Sequence, residues 1–331
     1  MRHGSELMQN KRKRFSLIKI LLGFQPVSWV LIILVCFFSI VSPSFLSIEN
    51  ALNLSRQGAV LMILCMGVIV IKITGGMDLS NGAIMTLGGM VMAWAMVNGN
   101  VSIPIACLMA VITAIFLGFV NGFFVSILGI PSFISTLGTQ GIAIGLALGM
   151  NEGNVIGNLP NGIGVIGNNV FLGLPISLWI TILIFLLTFI LLEYTKFGVY
   201  IYAIGGNEEA LKLVGKPVVL YKILAYTYSG FTAGIAALIL TSRNMAAQPT
   251  VGMGMEFQAF AGVVLGGSFM AGRGTAIGAA LGATVILILR NGLNLIGIPT
   301  YLQLAIFGSI LIAAIVLSTI VEQNAQRWLE D

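Results

Sequence analysis

From about residue 27 onward the chain alternates between long apolar runs and short polar breaks. The runs lie near 27–46, 57–73, 79–97, 102–121, 131–150, 176–194, 223–241, 257–269, 275–290 and 301–320. A straight crossing of a bilayer needs about 20 apolar residues, so this spacing predicts about ten membrane-spanning helices. The runs at 57–73, 257–269 and 275–290 are short. Short or glycine-interrupted spans are tolerated where neighbouring helices cover the freed backbone groups. One break stands apart. Residues 195–222 carry six charges (Lys196, Glu208, Glu209, Lys212, Lys216 and Lys222) around the helical-looking string GGNEEALKLVG at 205–215. That segment must face water, and a second protein has its best foothold there.

Composition supports lipid as the solvent. Charged residues make up 8% of the 331 and apolar ones 58%, whereas a soluble domain carries roughly a quarter charged. The net charge of +5 does not point to nucleic acid, because the basic residues sit between spans rather than on one face. With the N-terminus inside, only Arg56, Arg243 and Arg290 of the 16 basic residues fall outside, a strong positive-inside bias. Both termini and residues 195–222 are then cytoplasmic, and the loop at 151–175 is external. The expected organisation is a cytoplasmic tail at 1–25, a transmembrane domain at 26–322 and a second cytoplasmic tail at 323–331. Lys11-Arg12-Lys13-Arg14 before an apolar run resembles a signal peptide, but the run is long and only SPSFLS follows it. An uncleaved first span is expected.

The chain matches itself without gaps at an offset of 178. GMDLSNGAIMTLGGMVMAWA at 76–95 aligns with GMEFQAFAGVVLGGSFMAGR at 254–273, with Asp78 opposite Glu256. Further on, Gly129-Ile130-Pro131 echoes Gly297-Ile298-Pro299. The offset covers five spans, an odd number, so the halves at roughly 57–150 and 223–320 form an inverted repeat of the kind that flanks a transport path. Chance likeness between glycine-rich helices is the competing reading.

Asp78 and Glu256 each open a span. There a carboxylate caps free amides and meets the positive end of the helix dipole, or else the pair shapes the two mouths of a pathway. Asn121, Phe133, Asn291 and Tyr301 are further candidate pathway groups. Glycines spaced by four, such as Gly118/Gly122, Gly141/Gly145/Gly149 and Gly278/Gly282, suit close helix packing in lipid. Cys36, Cys65 and Cys107 lie within apolar runs without ligand spacing, and His3 is the one histidine. No metal site, catalytic residue or bound cofactor is expected. Nor is there a phosphate-binding loop, since Gly215-Lys216 runs into Pro217. Any ATP and magnesium must belong to a partner chain.

Glu209-Ala210-Leu211, with Gly215 six residues after the glutamate, resembles the EAA-type cytoplasmic loop of ATP-binding-cassette (ABC) importer permeases. The string TKFGVYIYAIGGNEEALKLVGKPVVLYK around it is similar to the ribose-type sugar permease family. So are TGGMDLSNGA (74–83), LGIPSFISTLGT (128–139), AQPTVGMGMEFQAFAGVVLGGSFMAGRGT (247–275) and RNGLNLIGIPTYLQ (290–303). Lys216-Pro217 and Leu211 depart from the usual pattern. The resemblance implies a ten-helix inner-membrane subunit of a bacterium, paired with a second permease copy, identical or paralogous. It also implies an ABC ATPase docked below and an extracytoplasmic sugar-binding protein above. The coupling helix it implies is centred on Gly206, Asn207, Glu208, Glu209, Ala210 and Gly215.

The expected function is thus transport of a ribose-like monosaccharide by alternating access, driven by the partner ATPase. The alternatives are an ion-coupled secondary transporter of a small polar solute, or an ABC permease for a sugar-like solute such as autoinducer-2.

Overall fold

A computed structural model describes residues 26–316, apart from 269, 300, 304, 311, 314 and 315. The two expected tails at 1–25 and 323–331 lie outside the described residues. Helices dominate: α1 (Pro26–Val41), α2 (Ile48–Ile73), α3 (Asn81–Val97), α4 (Ile103–Ser126), α5 (Ser132–Gly149), the short α6 (Gly164–Asn168), α7 (Ile176–Tyr194), α8 (Lys196–Leu213), α9 (Val218–Asn244), α10 (Met255–Leu265) and α11 (Ala276–Leu295). A further apolar helix runs over Tyr301–Ile310. A two-residue hairpin, β1 (Val170–Phe171) and β2 (Leu174–Pro175), precedes α7. Among the described residues six helices (α2, α4, α5, α7, α9 and α11) are long and apolar enough to cross a membrane, and four apolar ones are shorter.

Local chemistry accounts for several helix boundaries. Ser47 accepts a hydrogen bond from Asn50 N (3.2 Å) at the start of α2, and Thr275 accepts one from Gly278 N (2.9 Å) at the start of α11. Within the apolar helices Thr113, Thr181, Thr188 and Thr284 return their hydroxyls to the carbonyl four residues back. These four hydroxyls are thereby paired within their own helices.

α9 is the central helix and packs against α2, α3 and α4. Small residues set the α4–α9 spacing. A Cβ on Gly118 would fall 2.4 Å from the Tyr226 carbonyl oxygen, and one on Gly230 would fall 2.3 Å from that of Ala114. Backbones this close replace the hydrophobic effect with dense van der Waals contact, the main attraction between helices in lipid. α10 and α11 meet in the same way through Gly262, Gly266, Gly278 and Gly282. The glycines of α5 differ, because Gly138, Gly141, Gly145 and Gly149 face open space in the protomer.

Two element boundaries depart from the sequence expectation. The second run begins at Ile48 rather than 57, because Asn50, Asn53, Ser55 and Arg56 dilute hydropathy without breaking the helix. Residues 196–206, expected to lie in a polar break, continue as helix in α8.

Candidate functional site: a projecting loop and a buried polar junction

α8 is two helices in one. Asn207, at φ −159° and ψ 95°, leaves helical geometry, and its Oδ1 accepts the Ala210 amide at 2.9 Å. Asparagine is among the best residues for such a cap. The short second helix closes at Gly215, whose φ is +69°. There Gly215 N reaches Lys212 O and Lys216 N reaches Leu211 O, each at 3.0 Å. This paired closure needs a residue in the left-handed region, which glycine occupies without a Cβ penalty. The spacing from Glu209 to Gly215 is therefore the length of a capped helix of fewer than two turns and its stop.

The segment projects an apolar face. Leu213 is 88% exposed and Val214 66%, with Ala210 and Glu209 also exposed. Its root is held from three sides. Glu208 pairs with Lys212 at 2.7 Å and with Lys222 of α9 at 3.0 Å. Partial burial pushes the Glu208 carboxyl up, but hydrogen bonds and charge from both lysines outweigh it and hold the group below its ordinary value. Just before the kink, a Cβ on Gly205 would collide with the Ile73 carbonyl and the Gly272 amide. Tyr202 Oη donates to Gly274 O at 2.8 Å. The loop root thus touches the end of α2, the start of α9 and the α10–α11 connection at once. A polar cleft of about 330 Å³ lies behind it, lined among others by Gly75, Ser126, Ser132, Glu208, Lys222 and Tyr226.

A second polar centre lies inside the bundle. After α2 the chain runs without helical structure through Gly76–Ser80 before α3 begins. Asp78, 2% exposed, takes Ser80 N (2.9 Å) and Ser80 Oγ (2.6 Å) on one oxygen and Ser229 Oγ of α9 (2.6 Å) on the other. Asn121 of α4 extends the network, donating to Ser80 Oγ at 2.8 Å. Its carbonyl accepts Thr139 Oγ1 at 2.6 Å and Ser135 Oγ at 3.4 Å, both from α5. Four elements are joined by one chain of hydrogen bonds, each satisfying a group that would otherwise be stranded.

α10 meets this centre from the other direction. Glu256, also 2% exposed, accepts Gly254 N (3.1 Å) and Gln140 Nε2 of α5 (2.8 Å) on Oε1, while Oε2 has no hydrogen-bond partner among the described residues. Gly82 in the first turn of α3 packs so tightly that a Cβ would fall 2.5 Å from both Glu256 Oε2 and the Gly252 carbonyl. Asn81 beside it is buried with both amide atoms unpaired. The N-termini of two broken helices, α3 and α10, therefore abut inside the bundle around one carboxylate.

The remaining sequence candidates are scattered. Asn291 forms a reciprocal amide pair with Asn50 (3.0 and 2.8 Å), stapling the end of α11 to the start of α2. Phe133 and Tyr301 are exposed in the single protomer and take no part in the polar network around Asp78 and Asn121. Ser80, Ser229, Thr139 and Gln140 were not singled out by sequence, since each is an ordinary polar residue in an apolar run. The signal that links Thr139 to Ser135 is their four-residue spacing, which puts both on one face of α5 beside Asn121.

The basic residues divide between the two ends of the bundle. Lys212 and Lys222 gather at the loop end. Arg243 reaches the Arg56 carbonyl at 3.3 Å at the opposite end, within range of the charge of Arg290.

Comparison with known proteins gives a consistent answer. Residues 50–315 match the model of a family described as the branched-chain amino acid transport system / permease component. The ribose import permease protein of Bacillus subtilis (strain 168) is 38% identical over 316 residues, covering 95% of this chain and 98% of that protein. The ribose import permease protein of Haemophilus influenzae is 35% identical, covering 93% and 97%. The D-allose transport system permease protein of Escherichia coli (strain K12) is 33% identical, covering 89% and 91%. No solved structure matches.

Proposed function

The chain belongs to the branched-chain amino acid-type transport permease family, and from that premise we propose that it is the membrane subunit of an ABC importer for a ribose-like monosaccharide. It sits in a bacterial cytoplasmic membrane and alternates access between the two faces. One observation carries the coupling step. The Asn207-capped, Gly215-closed helix projects Ala210, Leu213 and Val214 while its root is tied to α2, α9 and the α10–α11 connection. A separate ATPase, holding the ATP and magnesium, grips that helix. Its closure pushes three membrane elements together rather than one.

The finer architecture follows the same reading. Ten spans with both termini cytoplasmic agree with the separation of basic residues, and the helix N-termini at Gly82 and Glu256 suit inverted halves that meet near the membrane midplane. A sugar-binding protein delivers solute at the end that carries Arg243, and a second permease copy completes the path. Relatives named for ribose favour a pentose, and the allose relative keeps a hexose as the second reading.

The deciding experiment is reconstitution in vesicles with the cognate ATPase and binding protein. Ribose uptake should require ATP and should disappear in Glu209→Ala and Gly215→Val while both variants still insert. Uptake driven by an ion gradient without ATP would overturn the proposal.

A further inference from the structure

The α6–hairpin segment ahead of α7 presents an apolar surface that the transport reading does not use. Val170, Phe171, Leu172 and Leu174 are all exposed, Leu172 at 76%. The hairpin pairs Phe171 with Leu174 and turns through Leu172 and Gly173 at φ +51° and +80°. A leucine at positive φ is strained where asparagine or glycine would sit easily, so a strained turn holds a large apolar side chain outward at its tip.

The hairpin is rigidly mounted. Gly167 N donates to Ser242 Oγ (2.7 Å), and Asn168 Nδ2 reaches the carbonyls of Ser242 and Arg243 (both 3.3 Å), so α6 is clamped to the end of α9. Ile176 N closes the hairpin base on Asn169 O at 3.0 Å.

We infer that this hairpin is a membrane-interface anchor whose partner is the lipid surface itself. Continuity with α7 identifies the partner. Phe171 packs edge-on against Trp179 in the first turns of α7, and Trp179 Nε1 donates to Phe171 O at 3.1 Å. Below Trp179, α7 exposes Ile182, Leu183, Leu186, Leu187 and Ile190, while its Ser177, Thr181 and Thr188 are buried. That outward face has no small residue at which another helix backbone could approach, whereas α5 exposes a row of glycines. Lipid therefore covers α7. No charged residue occurs from Gly153 through Leu192, and Arg243 beside α6 turns its guanidinium to the Arg56 carbonyl (3.3 Å), so the hairpin itself carries nothing ionic to the bilayer. Tryptophan with neighbouring apolar residues at a span's end is the composition of the interfacial belt. Val170, Phe171 and Leu172 then seat at the headgroup–acyl boundary and fix the depth of α7.

The test places an environment-sensitive NBD label on Leu172→Cys, with Cys36→Ser, Cys65→Ala and Cys107→Ala removing the natural thiols, in the full chain in phosphatidylcholine–phosphatidylglycerol vesicles. The expected result is blue-shifted emission, quenched by shallow nitroxide-labelled lipid and not by aqueous iodide. A label on Glu152→Cys in the nearby loop should behave oppositely. Iodide quenching at position 172, the result for a water-facing surface free to dock a soluble protein, would overturn the inference, as would shielding from both quenchers. Leu172→Asn supplies a second test without a label. It relieves the turn, so thermal stability in detergent should hold, while the gain on moving into vesicles should shrink. An unchanged gain would also overturn the inference.

Discussion

At Gly215 an added Cβ would be forced into left-handed backbone, at about 1–2 kcal/mol. Gly215→Ala should therefore loosen the stop of the coupling helix, lowering ATPase stimulation without loss of membrane insertion; both are measurable in the same vesicles. Glu208 allows a pH test. Its carboxyl is held below the ordinary 4.5 by Lys212 and Lys222, so its stabilising contribution is present above the ordinary value and is lost as pH falls through the lowered one. Wild type should melt above Glu208→Gln near neutrality, and the two curves should converge in strong acid. Asp78 is the most exacting single residue. Asp78→Ala removes the acceptor of Ser80 N and of the Ser80 and Ser229 hydroxyl protons together. Hydrogen bonds to a charged group are worth about 1.5–3 kcal/mol each, so loss of folded protein in detergent is the expected outcome.

Among the elements, the contrast between α4–α9 and α5 makes the clearest prediction. Gly230→Leu drives a side chain into the Ala114 carbonyl. Overpacking of this kind costs about 1–3 kcal/mol, and a lower melting temperature should report it. A Cβ on Gly141 meets nothing within 4 Å in the protomer, so Gly141→Leu starts into open space. It should leave that temperature unchanged and, if a second copy packs there, should shift the oligomer toward monomer on size-exclusion chromatography. Sequence reading recovered the elements unevenly, for physical reasons. Long runs such as 176–194 announce themselves because lipid demands apolar residues on every face. Hydropathy starts α2 too late because Asn50, Asn53 and Arg56 lower it while the helix continues beneath them. Helical residues 196–206 carry the pattern of a polar break because charge lies on both sides of them.

For the molecule as a whole, hydropathy reports how far along a straight helix a residue lies, not where a broken helix begins. That is why hydropathy places Asp78 and Glu256 only at the starts of spans, as caps or at mouths, while the structure shows both buried and accepting local amides, with Gly82 packed against Glu256. The charged loop is legible because charge is rare in this chain, and the resemblance to the EAA-type loop is what marks Glu209 and Gly215 within it. The three-sided grip on its root is not, since Ile73, Gly205 and Gly272 carry no signal of their own.

The bond between Asp78 and Ser229 spans 151 positions, which bears on biogenesis. A ribosome adding about 5–20 residues per second takes roughly 10–30 s to bridge that gap. Throughout that interval the nascent Gly76–Ser80 segment carries a carboxylate whose partner on α9 is unmade. The first half therefore inserts with that group left to the translocon or to water for solvation. A chain truncated near residue 200 should be cleared by membrane proteases, and pulse-chase labelling against the full-length product would measure this directly.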